Sequence, residues 1–135
     1  MIVLDEHFVG RGTQAAIRRF YPGKVVSIED LRPETVIPDE AVPALLSRQK
    51  LPTFVTINAR DFWRIVPADT RYCVVCAAVT DRQIDQVPLL LRRLLRHPRF
   101  RTRRARMGLV IRLLVNGAGQ SYGLHTGVTQ IERLR

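Results

Sequence analysis

Tyr72–Val79 is almost unbroken apolar and rich in β-branched side chains. A strand with no polar face must be covered on both sides, which is the situation of a strand inside a parallel sheet flanked by helices. Three shorter apolar runs precede it, Met1–Leu4, Lys24–Ile28 and Pro52–Ile57, and helical stretches separate them. Arg11–Phe20 carries Ala15, Ala16 and Phe20 at helical spacing, with Thr13 as its expected cap. Asp39 is expected to cap a helix reaching about Gln49, with Pro43 in its first turn, where a missing N–H costs little. A short helix over Asp61–Ile65 and a longer one over Gln83–Leu95 complete the alternation, while Glu29–Ile37 reads as a polar loop. Strand–helix alternation of this kind predicts a three-layer α/β/α fold with a central, mostly parallel sheet.

The character changes after residue 95. An Arg-rich connector spans 96–106, and Met107–Val115 and Ser121–Gln130 then read as two strands. Asn116-Gly117-Ala118-Gly119 between them supplies the positive-φ residues of a C-terminal β-hairpin over 107–130. At 135 residues, with a core over about 1–95, the chain is expected to be one domain, 1–135. Asp5 and Glu6 interrupt the start before any apolar leader could form, and no run of about 18 apolar residues could span a bilayer. Two Cys without a secretory context read as reduced thiols. A cytoplasmic protein with no membrane partner is the expectation.

The acids of this basic chain are unevenly placed. Net charge is +10, and of the 22 basic residues only Lys24 and Lys50 are lysine. Yet Asp5-Glu6 closes the first apolar run, Asp39-Glu40 opens a helix, and Asn58 and Asp61 follow the third run. In a parallel sheet the carboxyl ends of the strands share the edge where ligands bind. Each acid alone could simply cap a helix, but capping does not require a common edge. Clustered carboxylates repel unless a cation neutralises them or protons remain bound, and a hard divalent metal held through oxygen is the natural neutraliser.

Those segments resemble the small bacterial PIN-like domains. Leu4-Asp5-Glu6-His7 is similar to that family's opening LDE(N/H), Pro38-Asp39-Glu40-Ala41-Val42 to its DEE-apolar helix start, and Val55–Phe62 to its VT-x-D-x-DF segment. The three occur in the family's order, and the closing hairpin is similar too. The resemblance implies a metal-dependent endoribonuclease, the toxin of a toxin–antitoxin pair, with Mg²⁺ or Mn²⁺ at clustered acids. It carries Asp5 over as main metal ligand, Asp39 or Glu40 as second carboxylate, Asp61 as the acid of the closing DF, and Thr56 as an orienting hydroxyl. It also brings RNA, an antitoxin protein and a second copy of the chain as partners. One position departs from the pattern: Asn58 stands where the family commonly has an acid, with a one-residue insertion nearby. An Asn offers a carbonyl oxygen without charge, so the alternative is a catalytically inactive PIN-like domain that binds RNA or a protein.

The connector contributes Arg96, Arg99, Arg101, Arg103, Arg104 and Arg106, continuing Arg92 and Arg93, and no acid lies between Pro88 and Ile131. Arg is suited to forked hydrogen bonds with phosphate, and interleaved His97 and Phe100 could stack on bases. RNA contact is therefore expected here, with an acidic protein segment as the competing occupant. Cys73 and Cys76 have redox-pair spacing, but three residues apart on a strand they face opposite ways, so both read as buried thiols. His7 is expected either beside the metal or packed at a helix start, Trp63 as an anchor for the short helix, and His125 on a surface strand. Gly117–Gly119 reads as a turn, since neither a helix nor a Lys-Ser/Thr follows it. A phosphoryl-aspartate switch is excluded, because the third strand leads into Asn58 rather than Asp and no Lys follows position 50.

Overall fold

The computed structural model describes residues 1–135. Five parallel strands, β1 (Ile2–Leu4), β2 (Val25–Ser27), β3 (Thr53–Thr56), β4 (Cys73–Ala78) and β5 (Val110–Leu114), lie in the order β2-β1-β3-β4-β5. Two antiparallel strands, β6 (Gly119–Tyr122) and β7 (Thr129–Ile131), extend the β5 side to give a seven-stranded mixed sheet. Val74, Val75 and Cys76 are all 1 % exposed or less, as the unbroken apolar run requires of a strand with neighbours above and below.

Each face of the sheet carries its own core. On one face Ile2, Leu4, Val55, Cys73, Val75 and Ile111 pack under α1 (Thr13–Arg18) and α5 (Val87–Arg96). On the other, Val3, Phe54, Val74, Cys76 and Val110 pack under α3 (Val42–Ser47) and α4 (Ala59–Phe62). Cys73 and Cys76 accordingly fall in opposite cores, and burial pushes both thiols up to about 12, which leaves them inert. α5 is amphipathic: Val87, Leu90, Leu91 and Leu94 are buried at i, i+3, i+4 and i+7, while Arg92 and Arg96 face solvent.

The placement of α5 has a topological consequence. β1→β2 runs one way across the sheet under one face, and β2→β3 and β3→β4 run the other way under the opposite face, so those three crossovers share one hand. β4→β5 continues in the direction of β3→β4, yet its helix packs beside α1 on the first face. That crossover therefore has the opposite hand to the other three, so the four cannot all follow the strong preference for right-handed crossovers. The six-residue α1 leaves much apolar sheet uncovered on its face, and α5 covers it.

Several local expectations are corrected by hydrogen bonding. Gly12, at φ 77°, precedes α1 in place of a Thr13 cap, and Thr13 is the first helical residue. The polar loop after β2 opens with a turn of helix, α2 (Ile28–Leu31), because Ser27 and Asp30 form a reciprocal capping box. Asp39 does not cap a helix; it lies inside a 3₁₀ turn, Asp39–Ala41, that leads into α3. α4 is capped by Asn58, whose side-chain oxygen accepts from the Asp61 amide, rather than by Asp61. The helix expected over Gln83–Leu95 begins as a 3₁₀ segment, Asp81–Gln86, before α5. The closing hairpin is a three-stranded meander, since Gly123 N–H donates to the Thr126 hydroxyl and turns the chain between β6 and β7. His125 sits exposed in that turn, not on a strand.

Candidate active site at the carboxyl edge

The strand order places its reversal at β1, between β2 and β3, and the crevice outside the carboxyl ends of β1 and β3 is where such sheets bind ligands. Asp5 follows β1 there, directly beside the end of β3, and its backbone N–H donates to Val55 O at 3.0 Å. One Asp5 carboxylate oxygen accepts from the Glu6 amide at 2.8 Å, and the other from the Thr56 hydroxyl at 2.6 Å. Asp5 thus caps the turn Glu6–Phe8 and is also held rigidly by β3. It is 6 % exposed, and Thr56 is fully buried. The Thr56 oxygen in turn accepts from Asn58 N–H at 3.0 Å, so one hydroxyl orients Asp5 and fixes the turn after β3.

Asn58 is the hub of the outer part. Its amide nitrogen donates to Asp61 at 2.7 Å and lies 3.5 Å from an Asp39 carboxylate oxygen. Asp39 reaches the site from the loop before α3, and Asp61 from the exposed first turn of α4. Burial, and then the charges of Asp5, Asp61 and Glu40, push the Asp39 carboxyl above its ordinary value. Glu40 is exposed beside Asp39 and acts there through its charge. His7 Nε2 is 3.9 Å from an Asp5 carboxylate oxygen, beyond a hydrogen bond.

The acids named from the sequence therefore share one edge. No Lys or Arg pairs with them, although the chain has 22 basic residues; its two Arg salt bridges are Arg11–Asp81 and Arg71–Asp69. The donor set of Asp5, Asp39 and Asp61 carboxylates with the Asn58 side-chain oxygen is all oxygen, which suits a hard divalent cation. As the side chains stand, no three His, Cys, Asp or Glu residues converge closely enough to hold a metal ion. The Asn58 amide lies between Asp39 and Asp61, and Asp61 is exposed. Hollows of about 300 and 360 Å³ flank Asp5 on either side.

The raised Asp39 carboxyl gives a pH prediction. The folded chain holds this proton more tightly than the unfolded chain, whose reference value is 3.8. The group therefore costs no stability well below that value and becomes destabilising as pH rises from it through the elevated folded value. Thermal melts of the metal-free protein should show this loss, and Asp39→Asn should remove it and raise the melting temperature at neutral pH. An Asp39→Asn melt unchanged or lowered at pH 7 would contradict the electrostatic account.

The basic segment is partly reassigned. Arg96, Arg99, Arg101, Arg103 and Arg104 are exposed, but Arg106, in the short helix α6 (Arg103–Arg106), is 1 % exposed and bonded to Thr53, Phe100 and Arg101. Arg106 is thus a structural residue and not a surface RNA contact. Phe100 is fully buried and cannot stack on a base; His97 and Arg99 pack on its ring at 5.4 and 5.0 Å. Trp63 anchors the end of α4 as expected, its ring packed at a tilt against Tyr122 with centroids 5.1 Å apart. The connector also lies at the wrong edge for the acids, because α5 carries the chain back to where β5 begins. Arg106 bonds Thr53 and Asp5 bonds Thr56, the two ends of β3, roughly 10 Å apart at about 3.3 Å per residue.

Comparison with protein-family models, curated proteins and solved structures finds no match for this chain. No helix is long and apolar enough to cross a membrane.

Proposed function

We propose that the chain is a PIN-like, metal-dependent endoribonuclease. The observation that carries the reading is the placement of Asp5, Asp39 and Asp61 along one edge at the reversal point of a parallel sheet, near enough for the Asp5 and Asp61 charges to act on Asp39 and with no Lys or Arg partner. Such an arrangement is electrostatically unfavourable in itself and favours a bound cation. Bound Mg²⁺ or Mn²⁺ would supply activated water and neutralise charge on a phosphodiester. Asp5, Asp39 and Asp61 are the residues that would hold it. Thr56 fixes the Asp5 rotamer, Asn58 sets the spacing of Asp39 and Asp61, and Glu40 adds negative charge at the rim. In the toxin form of this reading, RNA is the substrate and an antitoxin protein the inhibitor. The test is cleavage of a fluorescent single-stranded RNA with Mn²⁺, Mg²⁺ or chelator.

A second reading, a PIN-like domain without catalysis, is favoured by one feature: the neutral Asn58 amide lies between Asp39 and Asp61. Asn58→Asp separates the two. Replacing the amide with a fourth carboxylate should tighten Mn²⁺ binding by roughly tenfold, one decade per 1.4 kcal/mol, and raise cleavage if the parent is active. Calorimetric titration with Mn²⁺ reads the first effect. No gain in Mn²⁺ affinity for Asn58→Asp would remove the metal from the site, and with it the nuclease reading.

A further inference from the structure

A larger hollow than those beside Asp5 lies away from the acids. A cleft of about 1090 Å³ opens at the opposite edge, where the strands begin, between the segment Phe20–Lys24, Lys50, the end of α5 and the start of α6. Seven of its 14 lining residues are Lys or Arg, and none is Asp or Glu. Both lysines of the chain are among them, each just ahead of a strand: Lys24 before β2 and Lys50 before β3. Arg92 and Arg96 come from the polar side of α5, and Arg103 from α6. None of these side chains is in a salt bridge.

A surface needing only solubility would spread like charges apart, because grouping them raises their mutual repulsion. Here three separate chain segments bring them to one concavity. An independent observation lies in its wall. Arg106 is 1 % exposed, and its guanidinium bonds Thr53, Phe100 and Arg101, yet one terminal nitrogen, Nη2, has no hydrogen-bond partner. Buried charged donors are ordinarily satisfied, so an unpartnered one lining a cationic cleft indicates a missing acceptor. Phe20, Tyr21 and Leu95 add an apolar wall beside the charges. The volume is that of a small-molecule site.

We propose that this amino-edge cleft binds a nucleoside polyphosphate moiety, with phosphates at Lys24, Lys50 and the Arg96–Arg103 side and the base against Tyr21 and Phe20. Lysine as a compact point charge and arginine as a fork are the two side chains that recognise phosphate. The moiety could be a free nucleotide or the 5′ end of an RNA, which share this chemistry. The site does not rest on the nuclease reading, since none of its residues belongs to the acid cluster.

The experiment is calorimetric titration of the full chain with ATP, inorganic triphosphate, adenosine, a 5′-triphosphorylated octa-adenylate RNA and its unphosphorylated twin. ATP should bind and adenosine should not, with affinity falling several-fold between about 50 and 200 mM salt, as phosphate contacts require. Lys24→Glu/Lys50→Glu should weaken ATP at least about tenfold through repulsion of the phosphates, and Asp5→Asn should leave it unchanged. Both lysines are exposed, so thermal melts should match the parent; Arg92→Glu/Arg96→Glu repeats the test from another wall. ATP binding stronger than that of the triphosphorylated RNA assigns the free nucleotide, and the reverse, with ATP competing, assigns the RNA end. The proposal is overturned if neither ATP nor the triphosphorylated RNA binds, or if binding survives both double substitutions. It is equally overturned if a deca-glutamate peptide binds more tightly than every nucleotide, which would make the cleft a seat for an acidic protein.

Discussion

Asp5→Asn is expected, on the nuclease proposal, to abolish Mn²⁺-stimulated RNA cleavage, lowering its rate by at least about a hundredfold, some 2.7 kcal/mol of transition-state stabilisation at about 1.4 kcal/mol per decade. The substitution keeps the shape of the side chain. The Asn side-chain oxygen can still accept from the Glu6 amide, and its NH2, in place of the second carboxylate oxygen, can donate to a Thr56 hydroxyl that turns its own proton away. What disappears is the negative charge at the most buried and most constrained of the three acids. The melting temperature should therefore stay close to that of the parent while turnover is lost. Asp61→Asn offers a graded comparison: Asp61 is exposed and joined to the site through Asn58, so its neutralisation should raise the Mn²⁺ concentration needed for cleavage more than it slows turnover at saturating Mn²⁺. Parent-like cleavage by purified Asp5→Asn would leave the acid cluster without a catalytic role. A hundredfold loss accompanied by a collapsed melting transition would make Asp5 a structural cap and nothing more.

The convergence that this prediction uses was legible in the sequence because it follows from topology. Once Met1–Leu4 and Pro52–Ile57 are parallel strands, whatever follows them must share an edge, and Asp5 and Asn58 follow them. The Thr56–Asp5 hydrogen bond was not legible, since it depends on β1 and β3 being neighbours, and strand order is set by crossovers that the residues do not spell out. The same limit hid the hand of the β4→β5 crossover. Other differences were matters of local competition: Ser27 and Asp30 cap a helical turn where the segment reads as loop, and Asn58 outcompetes Asp61 for the cap of α4.

The lysines carried a signal that spacing alone could have exposed. Two Lys in a chain whose other basic residues are all Arg, both directly ahead of parallel strands, must sit at the amino edge. The Arg-rich connector follows a helix that returns to the same edge, so the joining of these groups was implicit in the strand–helix alternation. Phe100, the one aromatic among the exposed cations, likewise marked the point where the connector dips into the core.

Arg106 shows no such mark in sequence, and its predicted effect is on stability. Arg106→Ala should destabilise the fold by about 3 kcal/mol, since it leaves three acceptors unsatisfied at a cost of roughly 1–3 kcal/mol each, lowering the melting temperature by about 10 °C. The guanidinium ties three parts of the chain together: the Thr53 hydroxyl at the start of β3, at 3.1 Å, and the Phe100 and Arg101 carbonyls of the connector, at 2.9 and 3.1 Å. Truncation empties that volume and leaves two carbonyls and a hydroxyl without their donor. Part of the loss is offset, because burial already holds this guanidinium below its ordinary pKa and its Nη2 gains nothing from the protein. That offset places the expectation at the lower end of the range. Arg106→Met retains most of the volume and removes the buried charge, so it should cost about half as much. Arg104→Ala, on the exposed side of the same short helix, should change stability by no more than about 0.5 kcal/mol. Denaturant melts of the three variants decide the matter. Equal, parent-like stabilities would return Arg106 to the surface with its neighbours, whereas the graded order Ala, Met, parent identifies it as the residue that pins the basic connector to β3.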